Sequence, residues 1–469
     1  MVVLAAYSNA QVTWRYAYGA FDNDRASVVR VVNEDLYFVA GSTGSFGAGA
    51  SDIYLVALNA LGVPQWSRTI GGIGVETAQD LIILADGGSM IVGSTSSQGA
   101  GGYDGYLVRT DANGDMLWER TFGGTDWDLL NDIKQVSEDR FLLTGQTYSN
   151  GQTAGSGWIM LVDATGEAVW SQAVLCGPGT NGYATASTDD GGFVCTGSIS
   201  DPNEPSDAFV AKYDAAASLE WMYRYGGDSL DIGRDIVATM DGGYSIMGST
   251  RSYSNWVEAY HLKIDGQGVE QWYRHWGQIN DQEAYEHIET AQGGFASIGY
   301  TRTTGGGGKD MFLLFSGSDG AYDFGTTFGG TENDAGFGIA LLTDGFLCAG
   351  TTLSFGSGAN DFFVVRTGAN GLTQLQSVTT SFDPLGMNEI VPDRLPIHPN
   401  PSTGSFFIPA QTVAGRVEVF DQAGRSVHGA WFPAGSTSLR LDLPDGAYVV
   451  QLTSSDGRGS RSRLMILHP

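Results

Sequence analysis

The amino-acid sequence predicts an all-β protein, a seven-bladed β-propeller followed by a small immunoglobulin-like β-sandwich. Three observations predict it: an aromatic residue recurs at a near-constant interval, each interval holds four short strand-like runs, and the composition changes near the C-terminus.

The interval comes first. Trp14, Trp66, Trp118, Trp170, Trp221 and Trp272 lie 52, 52, 52, 51 and 51 residues apart, and Phe324 and Leu375 continue the frame, which makes seven near-equal units. Unit two reads AQDLIIL, the turn DGG, SMIVGST, the longer loop QGAGGYD, GYLVRT, the turn DANG and MLWERTF. Short runs rich in Val, Ile, Leu, Phe and Tyr between Gly, Asp and Asn are strands joined by hairpins. Four antiparallel strands per unit and seven units close into a ring. Kelch and quinoprotein-type propellers resemble this pattern, with a Gly-ended second strand and a Trp in the fourth. The run VTWRYAY (12–18) precedes the first complete unit and is expected to pair with the last blade and close the ring.

In MLWERTFGGTDWD the Trp belongs to the outer strand and is expected to pack between blades, while Gly123 and Gly124 let the chain turn from rim to axis. An acid follows five residues after the first Gly or its equivalent: Asp24, Glu76, Asp128, Asp231 and Asp334. A second acid opens the third strand: Asp52, Asp104, Asp207, Glu258, Asp310 and Asp361. Carboxylates this regular are expected to accept backbone N–H bonds at turns. A catalytic residue is needed once, so chemistry must lie where units depart from the template.

Bulk properties narrow the function classes. Of 469 residues 68 are Gly, about twice the usual share, without a collagen period, so tight turns are many. The net charge of −28 opposes binding to nucleic acid or anionic lipid. No run is long and apolar enough for a transmembrane segment. Cys176, Cys195 and Cys348 form neither a disulfide framework nor a metal motif. Cys195 and Cys348 read as buried thiols, with a Cys176–Cys195 disulfide as the other reading. Residues 1–10 read as the remnant of a signal peptide ending in small residues, or else as an ordinary first strand. The propeller is expected over 11–380 and a linker over 381–396.

Residues 393–469 carry seven Arg against six Asp and Glu, unlike the acidic remainder. HPNPSTGSFFI (398–408), VEVFDQAGRSV (417–427), LRLDLPDGAYVVQL (439–452) and RSRLMILHP (461–469) resemble the C-terminal (type A) sorting domain of type IX secretion substrates of Bacteroidota. The resemblance implies sorting-signal roles for Pro399, Asn400, Pro401, Asp421, Gly424, Gly446, Tyr448 and Arg463 in a domain over 397–469. It also implies the type IX secretion machinery as partner, passage through the periplasm, and a final location that is extracellular or on the outer cell surface. The chain departs from the family at its end, where His468-Pro469 replaces the usual lysine. The alternating runs independently describe a small antiparallel sandwich.

Several motifs invite chemistry. DANGD (111–115) lacks the glycine position and closing glutamate of a calcium loop and reads as a hairpin turn. No GxSxG, HExxH or CxxCH occurs. His261, His275 and His287 cluster around unit five and either bind metal or pack; packing is the reading adopted, so no metal or cofactor is expected. Loop aromatics that depart from the template are Trp127, Tyr148, Tyr253, Trp256 and Trp276. Flat rings of this kind stack on sugars. Trp127, Tyr253, Trp256 and Trp276 are the candidate ligand-binding residues, expected on one face, with partly exposed rings. The function expected is binding or adhesion to an extracellular glycan or protein, with a glycan-active enzyme using a carboxylate pair as the alternative and a purely structural surface protein as a third reading.

Overall fold

The computed structural model describes residues 12–149, 151, 155–174, 179–201, 204–277, 279–356, 359–373 and 379–382, and in the C-terminal part 405–411, 415–420, 426–432, 435–441, 443–444, 446–454 and 459–466. Every regular element among them is a strand. The chain divides into two compact units, Met1–Pro384 and Leu385–Pro469.

Six four-stranded antiparallel sheets follow one another over 24–70, 76–122, 128–174, 180–225, 231–276 and 282–328, each strand beside the next in sequence. The seventh blade contains Asp334–Leu342, Gly345–Thr352 and Asp361–Gly368, and takes its fourth strand, Trp14–Tyr18, from the other end of the chain, with Trp14 opposite Arg366. The ring closes as expected. Trp14, not Leu375, occupies the fourth-strand aromatic position of this blade; Leu375 lies outside the described residues. The Trp14 indole donates to the Ala60 carbonyl (3.0 Å) and the Tyr18 hydroxyl to that of Gly62 (2.7 Å), which ties the closing strand to blade 1. Thr379–Phe382 adds a parallel strand on Trp14–Tyr18, so strand structure runs into the stretch read as a linker. Residues 1–11, 383–396 and Cys176 lie outside the described residues; Cys195 and Cys348 are buried in strands.

The aromatic ladder joins blades through glycine. Trp66, Trp118 and Trp272 each lie over the turn glycine of the next blade, Gly114, Gly166 and Gly320, where a Cβ would stand 2.4–2.6 Å from the indole. Those glycines have φ of 78, 80 and 72°, so the position demands Gly both for its backbone and for the ring above it. Blade 4 has Ala217 there instead, at φ 61°, the one positive-φ residue other than Gly among the described residues, beside Trp170. Trp118 packs between blades, as expected, with its ring half-buried against the core of the 2–3 joint.

The repeated acids are structural. The Gly123 Cβ position is 2.5 Å from both Asp104 Oδ1 and Asp128 Oδ2, one carboxylate from each blade, so the missing side chain is the space they occupy. Gly124 N–H donates to Asp128 (2.8 Å), and Gly72, Gly227 and Gly330 donate likewise to Glu76 (2.7 Å), Asp231 (2.8 Å) and Asp334 (2.9 Å). Asp104 accepts from the N–H groups of Ala100 and Gly101 at 3.1 and 3.2 Å. In DANGD the Asp111 carboxylate accepts the N–H of Asn113 (2.8 Å) and Asp115 (2.9 Å), closing a turn.

Around the axis a further set of acids, not distinguished in the sequence, links blade 2 to 3, 3 to 4, 5 to 6 and 6 to 7. Asp80, Asp132, Asp235 and Glu286 accept the backbone N–H of Ile133, Thr185, His287 and Ile339 at 3.3, 2.9, 2.8 and 2.7 Å. Arg30 spans Asp80 (2.6 Å) and Glu286 (3.0 Å), and Lys134 meets Asp132 (2.5 Å). Burial pushes the Glu286 carboxyl up to about 7 against the pull of Arg30.

The second unit holds a four-stranded sheet of Ser426–Phe432, Gly415–Phe420, Gly446–Ser454 and Gly459–Ile466 in that spatial order, and a pair, Ser405–Gln411 with Gly435–Arg440. Val417, Val419, Leu441, Tyr448, Val450 and Ile466 form its core. The Tyr448 hydroxyl donates to the Pro444 carbonyl (2.9 Å), Gly446 pairs with Ile466, and Arg463 with Val449. Pro399, Asn400, Pro401, Asp421 and Gly424 lie outside the described residues.

Candidate functional site

Second-to-third-strand loops and blade junctions meet on one face: Asp128 N–H donates to Tyr103 O (2.7 Å), Tyr148 N–H to Trp127 O (3.0 Å) and Gln282 N–H to Val257 O (2.8 Å). All four candidate aromatics stand at this face, but they do not form one group. Trp127, 56% exposed, meets Tyr103 edge-on at 5.3 Å in the junction before blade 3. Tyr253 and Trp256, 36% and 44% exposed, share a loop of blade 5.

Tyr253 stacks on His275 (4.6 Å, 15°) and on Tyr273 (5.3 Å, 18°). Tyr273 and His275 are two residues apart on the outer strand Glu270–Trp276 and therefore share a face. The Glu258 carboxylate, 2.7 Å from His275 Nδ1, orients the imidazole. Trp276 ends that strand instead of standing in the junction loop, points to the opposite side, and is partly exposed and partly packed against Met247, Ala259, Ala284 and Phe312. Strand alternation, invisible while the junction was read as a loop, is the reason.

His275 and Trp276 open onto a cleft of about 460 Å³ between blades 5 and 6. Its wall has the apolar groups of Trp276, Phe312, Leu314 and Tyr322, and the polar groups of Gln282, Thr301, Thr303, Thr304, Thr326 and Thr327, and among the described residues no carboxylate lines it. Gln282 Nε2 donates to Thr303 Oγ1 (3.0 Å). The cleft lies where the outer strand of blade 6, YDFGTTF, has Phe324-Gly325 in the frame that elsewhere carries Trp and a larger neighbour. That departure was the available signal.

A cavity of about 530 Å³ beside Lys212, Glu220 and Tyr244 lies at the tight-turn end of blades 4 and 5. Lys212 is held there by Asp190 (2.6 Å), and the same basic–acidic pairing recurs in Arg109–Asp86, Lys263–Asp241 and Arg366–Asp344, which marks it as scaffold.

The three histidines separate into a buried pair and an outlier. Ser245 Oγ lies 2.9 Å from His287 Nε2 and 2.6 Å from His261 Nε2, and His287 Nδ1 lies 2.7 Å from Asp235. The order nucleophile, base, carboxylate is that of acyl-transfer triads. Ser245 and His261 have no solvent exposure and His287 only 1%, so no substrate reaches them. Burial, then the neighbouring His287, holds His261 well below the usual imidazole range, so its ring is neutral. Among the described residues no group of three or more His, Cys, Asp or Glu could hold a metal ion.

Residues 396–466 match the family described as the secretion system C-terminal sorting domain, and the chain thus carries that domain. Among solved structures, puromycin hydrolase is 13% identical over 84% of this chain and 62% of its own, with a TM-score of 0.51. The acylaminoacyl peptidase of Pyrococcus horikoshii is 10% identical over 84% of this chain and 58% of its own, at 0.44. PorZ, an essential bacterial surface component of the type-IX secretion system of Porphyromonas gingivalis, is 13% identical over 93% and 68%, at 0.35. The chain thus spans less than two thirds of the hydrolase and the peptidase, and at 13% identity the likeness to the hydrolase is one of fold alone. No curated protein matches the chain.

Proposed function

We propose that the chain is a glycan-binding propeller delivered by the type IX route to the cell surface or the medium, and that the cleft between blades 5 and 6, with the adjoining Tyr253–His275–Tyr273 stack, holds the sugar. The carrying observation is the makeup of the cleft: flat apolar rings beside hydroxyl and amide groups, the combination that a sugar with one apolar face and a hydroxyl rim requires. Among the described residues its lining has no carboxylate, and the usual glycosidase mechanism needs two flanking the scissile bond. Binding is therefore better supported than turnover, and export to a surface is consistent with adhesion.

A glycan array with the purified chain, run beside a polysaccharide turnover screen, tests this. Binding that Tyr253→Ala or Trp256→Ala weakens without lowering the melting temperature supports the reading. Turnover without binding, binding indifferent to both substitutions, or silence in both assays overturns it. The address is proposed to be separable: removal of 397–469 should leave a folded propeller in the periplasm, and normal surface delivery of that truncated chain would refute the division.

A further inference from the structure

Each innermost strand contains a bulge at one equivalent position, and the residues bulged there are where the repeats stop resembling one another. Pairing with the second strand skips one residue between Ala26 and Val28, and likewise at the equivalent place in all seven blades. The skipped residues are Ser27, Gln79 and Asn131 in blades 1–3 and Tyr183, Arg234, Tyr285 and Phe337 in blades 4–7. The position just before each is small or apolar in every blade. A bulge re-aims a side chain, and all seven skipped residues line one cavity of about 90 Å³ on the axis.

Two cationic groups meet its loop-face end, Arg234, which lines it, and Arg25, which lies over the lining ring of Phe337, and neither is held by a side-chain acceptor at hydrogen-bond distance. The Arg234 guanidinium lies between the rings of Tyr183 (5.0 Å) and Tyr285 (5.5 Å), and Arg25 lies over Phe337 at 4.1 Å. Glu283 is 3.8 Å from Arg234, beyond hydrogen-bond distance, and Arg234 Nε is buried without a partner. Among the described residues no carboxylate or carbonyl accepts from the Arg25 guanidinium. The acids deeper on the axis are engaged: Asp80, Asp132, Asp235 and Glu286 each accept a backbone N–H of the next blade.

We propose that the axial opening on the loop face binds a carboxylate group, gripped by Arg234 and Arg25 against their aromatic rings, with the amides of Gln79 and Asn131 and the Ser27 hydroxyl on the opposite wall. The cavity admits the carboxylate and a few attached atoms, and the rest of the ligand projects into solvent. This site is distinct from the blade 5–6 cleft.

Calorimetric titration of the full chain at low ionic strength tests it, with glucuronate, N-acetylglycine as a carboxylate without a sugar, and glucose as the neutral control. Glucuronate binding that salt weakens, with glucose inert, supports the proposal. N-acetylglycine binding equally makes the carboxylate alone the determinant, and glucuronate binding alone narrows the ligand to acidic sugars. Arg234→Met and Arg25→Met should each weaken binding by about tenfold, and Arg234→Lys by less, because charge is kept while the planar fork is lost. Arg25 is exposed, so its variant remains a folded test if Arg234→Met does not fold. No heat from either carboxylate, equal binding of glucose, or indifference to both methionine variants overturns the proposal. Trp256→Ala should leave glucuronate binding intact, which keeps failure here apart from failure of the cleft reading.

Discussion

The joint between blades 2 and 3 and the joint between blades 5 and 6 are built from the same repeat, yet three equivalent positions differ in kind. Met90, Leu107 and Ile133 fill the first, all buried and apolar. Ser245, His261 and His287 occupy the same places in the second and form a hydrogen-bonded chain that ends on Asp235. The repeat therefore specifies backbone and ladder without specifying the chemistry of the joint. A polar joint is tolerated because most groups in it find a partner, His261 Nδ1 and Ser297 Oγ being exceptions among the described residues. The cleft opens beside this polar joint.

The largest expected effect is at its end point. Asp235→Ala removes the acceptor of His287 Nδ1, of the His287 N–H and of the Ile236 N–H, all largely buried, and should cost about 3 kcal/mol in denaturant unfolding. A loss well under 1 kcal/mol would show that the chain of bonds does not hold this joint. Next come the parts that both joints share: Trp118→Ala and Trp272→Ala should each cost about 2–3 kcal/mol, less than a fully buried Trp because both rings are half-buried. The exposed Trp127→Ala should cost less than about 0.5 kcal/mol. Unequal costs at the two ladder positions would break the division into common scaffold and variable joint.

Acid should separate the joints further. His261 stays neutral when folded and takes a proton when unfolded below its ordinary pKa, so its contribution is complete above about pH 6.5 and declines by up to about 1.4 kcal/mol per pH unit below it. His261→Leu, which installs the residue of the apolar joint, should remove that component from the difference between the two stability–pH curves. Glu286 acts in the opposite sense, since its raised pKa gives a contribution present at low pH and lost as pH rises toward 7. It is common to both proteins and cancels; parallel curves would refute the His261 assignment. The smallest effect is at the turn where one blade departs from its siblings. Ala217→Gly should stabilise by about 0.5 kcal/mol, the relief of a left-handed Ala less the greater freedom of Gly in the unfolded chain. Destabilisation would mean that contact with Trp170 outweighs the strain.

Blade number, strand order, ring closure by residues 12–18, the capping role of Asp128 and its counterparts, and the presence of a sorting domain were legible in the sequence. Each follows from spacing, from period-two alternation or from turn chemistry, which act over a few residues and leave a periodic trace. What the tertiary structure alone decided lies where distant segments meet. Trp118 rests on Gly166, 48 positions onward; His261 and His287 share Ser245 while His275 joins Tyr253; Trp276 turns inward to wall a cleft; and seven bulges rotate Ser27, Arg234 and their equivalents toward the axis. A bulge shifts register by one residue and sends a side chain to the other face without any fixed mark in composition. Periodicity could therefore count the blades, and only three-dimensional packing could say which departures from the repeat face a ligand.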